Sequence, residues 1–395
     1  MSGLSSRALG SLLILAGGLV VSGGGMMAAL LVISAYIQQP SAERVGTALT
    51  QSVAIGALGG VLGLILVAEG IRYWRGSQAT PFRLRRSGWL WLAFGLLLTV
   101  GTVLSVLAVP PVVMAPIHAL TLLLLPALVL TAVGWGLSGR EGSWADVAGG
   151  LVSGALLGTG AALAIESVLI VLVVIAMLAL GWVPQEWLQE TSQALTRGQF
   201  SFPTEAEALL GFLTPPVILV ILALFSGMVP IVEEITKTLG VGIAGAWVRF
   251  SPPRAFLLGV ASGAGFALVE NALNSFFLGP VWGPGVLARL AATVMHSATG
   301  GLMGWGWGQW WSGRHPWRLP MAFVGAVTLH SIWNFVAVGM ALIGLLVMDR
   351  AEQPLWMAVG GLIALLLLGI QFLITGGVTA GILWASHRLG RMASA

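Results

Sequence analysis

The chain is divided almost end to end into apolar runs of about 20 residues or more, the length a helix needs to cross a ~30 Å hydrocarbon core. The runs are therefore read as membrane-spanning helices. Only 8% of the 395 residues are charged, against roughly 25% in soluble domains. The fold class read from this is an all-α, polytopic integral membrane protein. About ten spans are expected, near 9–36, 52–74, 88–109, 112–136, 147–182, 214–246, 254–278, 285–311, 319–347 and 355–386. The glycine-rich first half of the 147–182 run is read as a separate re-entrant piece or as part of one long span. The first run far exceeds the roughly 7–15 residues of a signal-peptide core, so it is read as a retained helix.

Arginine placement orients these spans. With the N-terminus inside, thirteen arginines fall in inside gaps: Arg7, Arg72, Arg75, Arg83, Arg85, Arg86, Arg140, Arg249, Arg254, Arg314, Arg318, Arg388 and Arg391. Three fall outside, Arg44, Arg197 and Arg350, while Arg289 stands near an outer helix end. The positive-inside rule then predicts that both termini are cytoplasmic. An acidic outer gap, 183–213, with Glu186, Glu190, Glu205, Glu207 and a break at Pro203, separates an N-terminal region (1–182) from a C-terminal membrane core (214–347). A last span and short tail (348–395) follow. No cysteine is present, which excludes disulfides and thiolate chemistry, and no basic cluster points to nucleic acid. Glycine totals 55, about twice the usual share, and is read as helix-packing surface in small-xxx-small patterns such as Gly300–Gly304.

Ionisable groups at membrane depth are costly and mark working sites. Lys237, the one lysine of the chain, stands in Glu233-Glu234-Ile-Thr-Lys237. Glu233 and Lys237 share a helix face at i,i+4. The next spans supply Glu270-Asn271, then His296, then His330 with Asn334 one turn on. At ~1.5 Å per residue His296 and His330 lie ~15 Å deep, and Glu270 lies ~24 Å from the cytoplasmic edge. Four antiparallel helices are therefore expected to bring these groups to one water-filled cavity. A buried carboxylate can serve as general base on water, and imidazole can stabilise an oxyanion or carry a proton. Alternatively His296, His330 and Glu270 make a divalent-metal site, zinc in the first instance. Lys237 offsets and orients the glutamate pair in either case, and the natural reaction is hydrolysis of an amide bond in the membrane.

Glu-Glu-x-x-Lys, Phe266-x-x-x-Glu270-Asn271, His296 with Gly300 four residues on, and His330-x-x-x-Asn334 together resemble the PrsW family of intramembrane proteases. That family is related to the CAAX prenyl endopeptidase and bacteriocin-processing membrane proteins. The resemblance covers roughly 205–345 and rests on the order and spacing of four motifs. It implies a multi-pass peptidase of the bacterial cytoplasmic membrane, acting on a membrane-spanning protein such as an anti-sigma factor. Its active groups match Glu233, Glu234, Glu270, His296 and His330, with Lys237, Asn271 and Asn334 in support. One departure is Asn274, where members often carry an aromatic residue, usually tyrosine. Spans one to five lie outside the resemblance.

Other polar residues invite blander readings. Glu69 is expected to pair with Arg72 at i,i+3. Glu166 is an intramembrane carboxylate with no partner in sequence, His118 reads as interfacial, and His315 and His387 sit in arginine-flanked helix ends. The rhomboid-like Gly136-Leu-Ser138-Gly139 stands at a helix end without a histidine partner. From other classes, a proton- or cation-coupled transporter remains as a rival, since Glu, His and Lys also build proton relays. Nothing in spans one to five mirrors the charged motifs, as matched transporter halves would require. A catalytically silent relative that binds a membrane protein is the third reading.

Overall fold

The computed structural model describes residues 3–38, 42–82, 88–137, 142–185, 189, 192, 211–274, 281–313, 315–349 and 352–392. Most of the acidic gap at 183–213 lies outside these residues, as do Ser138 and Gly139. Helices account for every extended element among the described residues: α1 (Gly3–Gln38), α2 (Ala42–Trp74), α3 (Gly88–Val106), α4 (Pro111–Gly136), α5 (Trp144–Val152), α6 (Thr159–Ala179), α7 (Pro215–Ala223), α8 (Val229–Thr236), α9 (Leu239–Val248), α10 (Pro252–Leu273), α11 (Trp282–Trp311), α12 (Arg318–Asp349) and α13 (Pro354–Met392). A π-helical turn, Ser153–Gly158, joins α5 to α6, so the 147–182 run is one continuous helical path and not a separate re-entrant piece. A second π turn, Leu224–Met228, joins α7 to α8.

Nine helical stretches among the described residues are long and apolar enough to cross a membrane. The eighth span of the sequence reading, α11, has 30 residues but is too rich in Gly, Thr and polar side chains to qualify by composition. Its environment explains this. Seventeen of its residues are buried against protein, where small and polar side chains serve better than lipid-facing Leu or Ile. The two extremes are α10, whose apolar stretch is 83% buried by protein, and the span of α1, at 6%.

The chain groups into two units. The first comprises 1–160, 236–324 and 378–395. Here α10 and α11 cross with their backbones in contact. A Cβ on Gly300 would come 3.1 Å from the Gly263 Cα, and one on Gly304 would come 2.9 Å from that of Gly259. Leu257, Val260, Ala261 and Ala264 of α10 continue into an apolar core with Val129, Val133 and Leu137. The start of α5 is tied to α10 by charge. Asp146 accepts the Ser143 N–H in a capping box and pairs with Arg254 at 2.7 Å. His118 is a correction to the sequence reading: it is 3% exposed, and its Nδ1 accepts the Trp282 indole N–H at 3.1 Å. An indole buried in this core needs an acceptor, and His118 provides it. Glu69 and Arg72 form the expected pair at 2.7 Å.

The second unit comprises 161–235 and 325–377. Met177, Val183 and Val217 are buried together, with Phe212, Leu213, Val220 and Ile221 packed around them. This joins the end of α6 to the start of α7. Gly360 of α13 receives the Val347 side chain of α12.

Candidate active site

The stretch that carries Glu233, Glu234 and Lys237 is a helix irregular at both ends, and its sequence accounts for the first irregularity. Pro230 has no N–H, and its ring would clash with the carbonyl of Ser226 four residues back. The helix relieves this by widening into the π turn at Leu224–Met228 before α8 resumes. In the second unit, the Phe225 carbonyl of that turn accepts the amide of Asn334 at 2.9 Å. Past α8 the helix breaks at Lys237–Thr238 and restarts as α9. The carbonyl of Lys237 is then taken by the Ser262 hydroxyl of α10. Gly158, in the first π region, lies against this break. A Cβ there would come 2.9 Å from the Lys237 Cα, so no larger residue fits without displacing the backbone.

The second unit joins three of the expected residues. His330 is 1% exposed, Glu233 8% and Glu234 0%. His330 Nδ1 lies 2.8 Å from Glu234 Oε1, and with a carboxylate as acceptor it is the nitrogen that carries the proton. His330 Nε2 is thereby the basic nitrogen, and it faces Glu233 Oε2 at 3.6 Å. That separation is too long for a hydrogen bond. It is close to the roughly 3.3 Å between two ligands of one tetrahedral ion with ~2.0–2.1 Å bonds. A metal-ligating histidine generally gives its other N–H to a carboxylate, and Glu234 does this for His330. The donor set therefore fits a metal such as zinc: imidazole and carboxylate, in a chain without cysteine.

The first unit joins the others. Glu270 Oε2 is 2.7 Å from His296 Nε2. Lys237 Nζ reaches His296 Nδ1 at 3.0 Å and Thr299 Oγ1 at 3.4 Å. The lysine ammonium can only donate to that nitrogen, so Nδ1 is the acceptor and Nε2 carries the ring proton beside Glu270. The ring of Phe266 lies 5.5 Å from the His296 ring, with Lys237 Nζ 5.3 Å from its centroid. Asn271 donates to Thr293 at 3.0 Å, a bond between α10 and α11. Lys237 thus serves His296 in this unit, where the sequence reading made it the partner of the glutamate pair.

Two contacts were not foreseen. Arg289 Nη1 lies 3.4 Å from Glu270 Oε1, and the Asn274 amide donates to the same oxygen at 3.3 Å. The signal was present in the spacing. Arg289, Thr293 and His296 share one helix face, and Asn274 follows Glu270 by one turn. Among the remaining residues, Glu166 lies in the first half of α6. His315 and His387 make edge contacts with Trp317 and Trp135 at helix ends.

A family model described as PrsW family intramembrane metalloprotease matches residues 142–368, more than half of the chain. The match takes in α5 and α6, which the four motifs had left out. No curated protein and no solved structure matches.

Proposed function

Because the chain belongs to the PrsW family of intramembrane metalloproteases, we propose that it hydrolyses a peptide bond of a membrane-spanning protein in the bacterial cytoplasmic membrane, using Glu233, Glu234 and His330 together with Glu270, His296 and Lys237. The observation that carries this reading is His330, held through Nδ1 by a fully buried carboxylate while Nε2 faces Glu233. A structural ion pair has no need of that directed second nitrogen.

In this reading Glu233 and His330 are metal ligands, joined by His296 as the second imidazole, and zinc is the ion. Glu233 takes the place that the sequence reading gave to Glu270. Each imidazole is oriented by a carboxylate on its other nitrogen, Glu234 for His330 and Glu270 for His296. A bound zinc supplies a Lewis acid for the scissile carbonyl and lowers the pKa of water. Glu270, with 28% of its side chain exposed, is the carboxylate water can reach. It takes the proton of the attacking water and returns it to the departing amine nitrogen. Asn334 holds the turn that precedes the glutamate pair, and Lys237 holds His296.

A second reading, in which carboxylates and imidazoles activate water without a metal, is favoured by one contact. His296 Nδ1 is engaged by the Lys237 amine at 3.0 Å, where a ligand nitrogen would turn to an ion. One experiment separates the two. The full-length protein in lipid nanodiscs is incubated with a panel of single-span substrates, with and without chelator, beside His330→Ala and Glu233→Gln. Loss on chelation and recovery with zinc support the metal reading. Cleavage that survives chelation supports the second. Cleavage by both variants, or none by the wild type with zinc, sinks the protease reading.

A further inference from the structure

We propose that Arg289 is a positioning residue of this site, acting through Glu270 on His296. Glu270 is contacted at both oxygens. Oε2 lies 2.7 Å from His296 Nε2, and Oε1 receives Arg289 at 3.4 Å and Asn274 at 3.3 Å. A glutamate has three rotatable bonds, and ordering such a side chain costs conformational entropy. Two donors converging on Oε1 meet that cost and fix the carboxylate plane, so that Oε2 stays on the imidazole. Arg289 is itself fixed. It lies on the face of α11 that carries Thr293 and His296, and Thr293 donates to the Arg289 carbonyl at 2.8 Å while accepting from Asn271 of α10 at 3.0 Å. The crossing of α10 and α11 is thereby bolted at the level of the Arg289–Glu270 contact. Arg289 and Glu270 are 22% and 28% exposed, against 3% for His296. The guanidinium therefore holds the half-exposed end of a relay that runs inward to His296 and Lys237.

The proposal rests on reading Glu270 and His296 as working groups, and its test includes a measurement made without substrate. Full-length protein labelled with 15N-histidine has five histidines, and the Nε2–H resonance of His296 is assigned by its loss in His296→Gln. A carboxylate oxygen 2.7 Å from Nε2 places that proton downfield. Arg289→Met is expected to move it upfield and to lower kcat about 10–100-fold, the usual range for an orienting partner, with KM unchanged. Arg289→Lys restores most of both, because the contact is a single N–O point that an ammonium can make. A wild-type resonance and kcat in Arg289→Met overturn the proposal. If that variant does not fold, Asn274→Ala decides: a smaller upfield shift supports it and an unmoved resonance overturns it. A wild-type protein that cleaves nothing overturns the protease reading alone, and the resonance still judges Arg289.

Discussion

His296 in one unit and His330 in the other are both buried and both held by a carboxylate, yet their second nitrogens meet opposite chemistry. His296 is clamped from both sides, by Glu270 at 2.7 Å and the Lys237 amine at 3.0 Å. His330 is clamped from one side, by Glu234 at 2.8 Å, and its basic nitrogen looks onto a second carboxylate at 3.6 Å. The orienting acids differ as well: Glu234 is fully buried, while Glu270 keeps 28% of its side chain exposed. A fully enclosed acid can only hold its neighbour, whereas an exposed one can exchange protons with water. Similar residue types are thus divided by burial, and in the proposed function the enclosed acid holds its imidazole while the exposed one handles protons.

The most severe way to break this comparison is His330→Ala. It removes the one imidazole with a directed basic nitrogen, and kcat/KM is expected to fall by ~10³-fold, within the range for a lost acid–base or ligand group. If His296→Ala loses much more than His330→Ala, the roles are reversed. Glu234→Gln is milder. It keeps an acceptor for Nδ1–H but not the charge, and a drop of ~10–100-fold in activity, with reduced zinc content by elemental analysis, is expected. Gly158→Ala perturbs only the His296 side, by pressing on the Lys237 backbone. Overpacking of this kind costs about 1–3 kcal/mol, seen as a lowered midpoint of thermal unfolding. Smallest is Asn334→Ala on the His330 side, which removes one donor from the Phe225 carbonyl. About 1 kcal/mol of stability is expected to go with it. A larger loss than for Gly158→Ala would show that the His330 side is the more strained.

The candidate residues were legible because charge at membrane depth is rare, and Glu233, Glu234, Lys237, Glu270, His296 and His330 stand out against an apolar background. Their pairing was less legible. Lys237 shares a helix face with Glu233 in an ideal helix, but the break at Lys237–Thr238 ends that helix before the lysine, and it turns to His296. Arg289 was counted for topology, and an arginine near a helix end gives no sign in sequence of what it touches. His118 reads as interfacial by position along its span. Only packing reveals that Trp282 reaches it in a core. The α11 helix shows the limit of hydropathy, since a span enclosed by other helices need not be apolar.

The π turn before Pro230 has a geometric consequence. Each residue added to or removed from a helix rotates everything beyond it by roughly 100°. Leu224–Met228 therefore acts as an angular setting between α7, anchored in its apolar cluster, and the glutamates of α8. Regularising it to an α-helix with no residue removed, as Pro230→Ala would allow, would leave the length unchanged and turn Glu234 away from His330 by more than a quarter of a circle. The azimuth of the acid pair is thus written in one proline and one extra residue, several positions before the acids themselves.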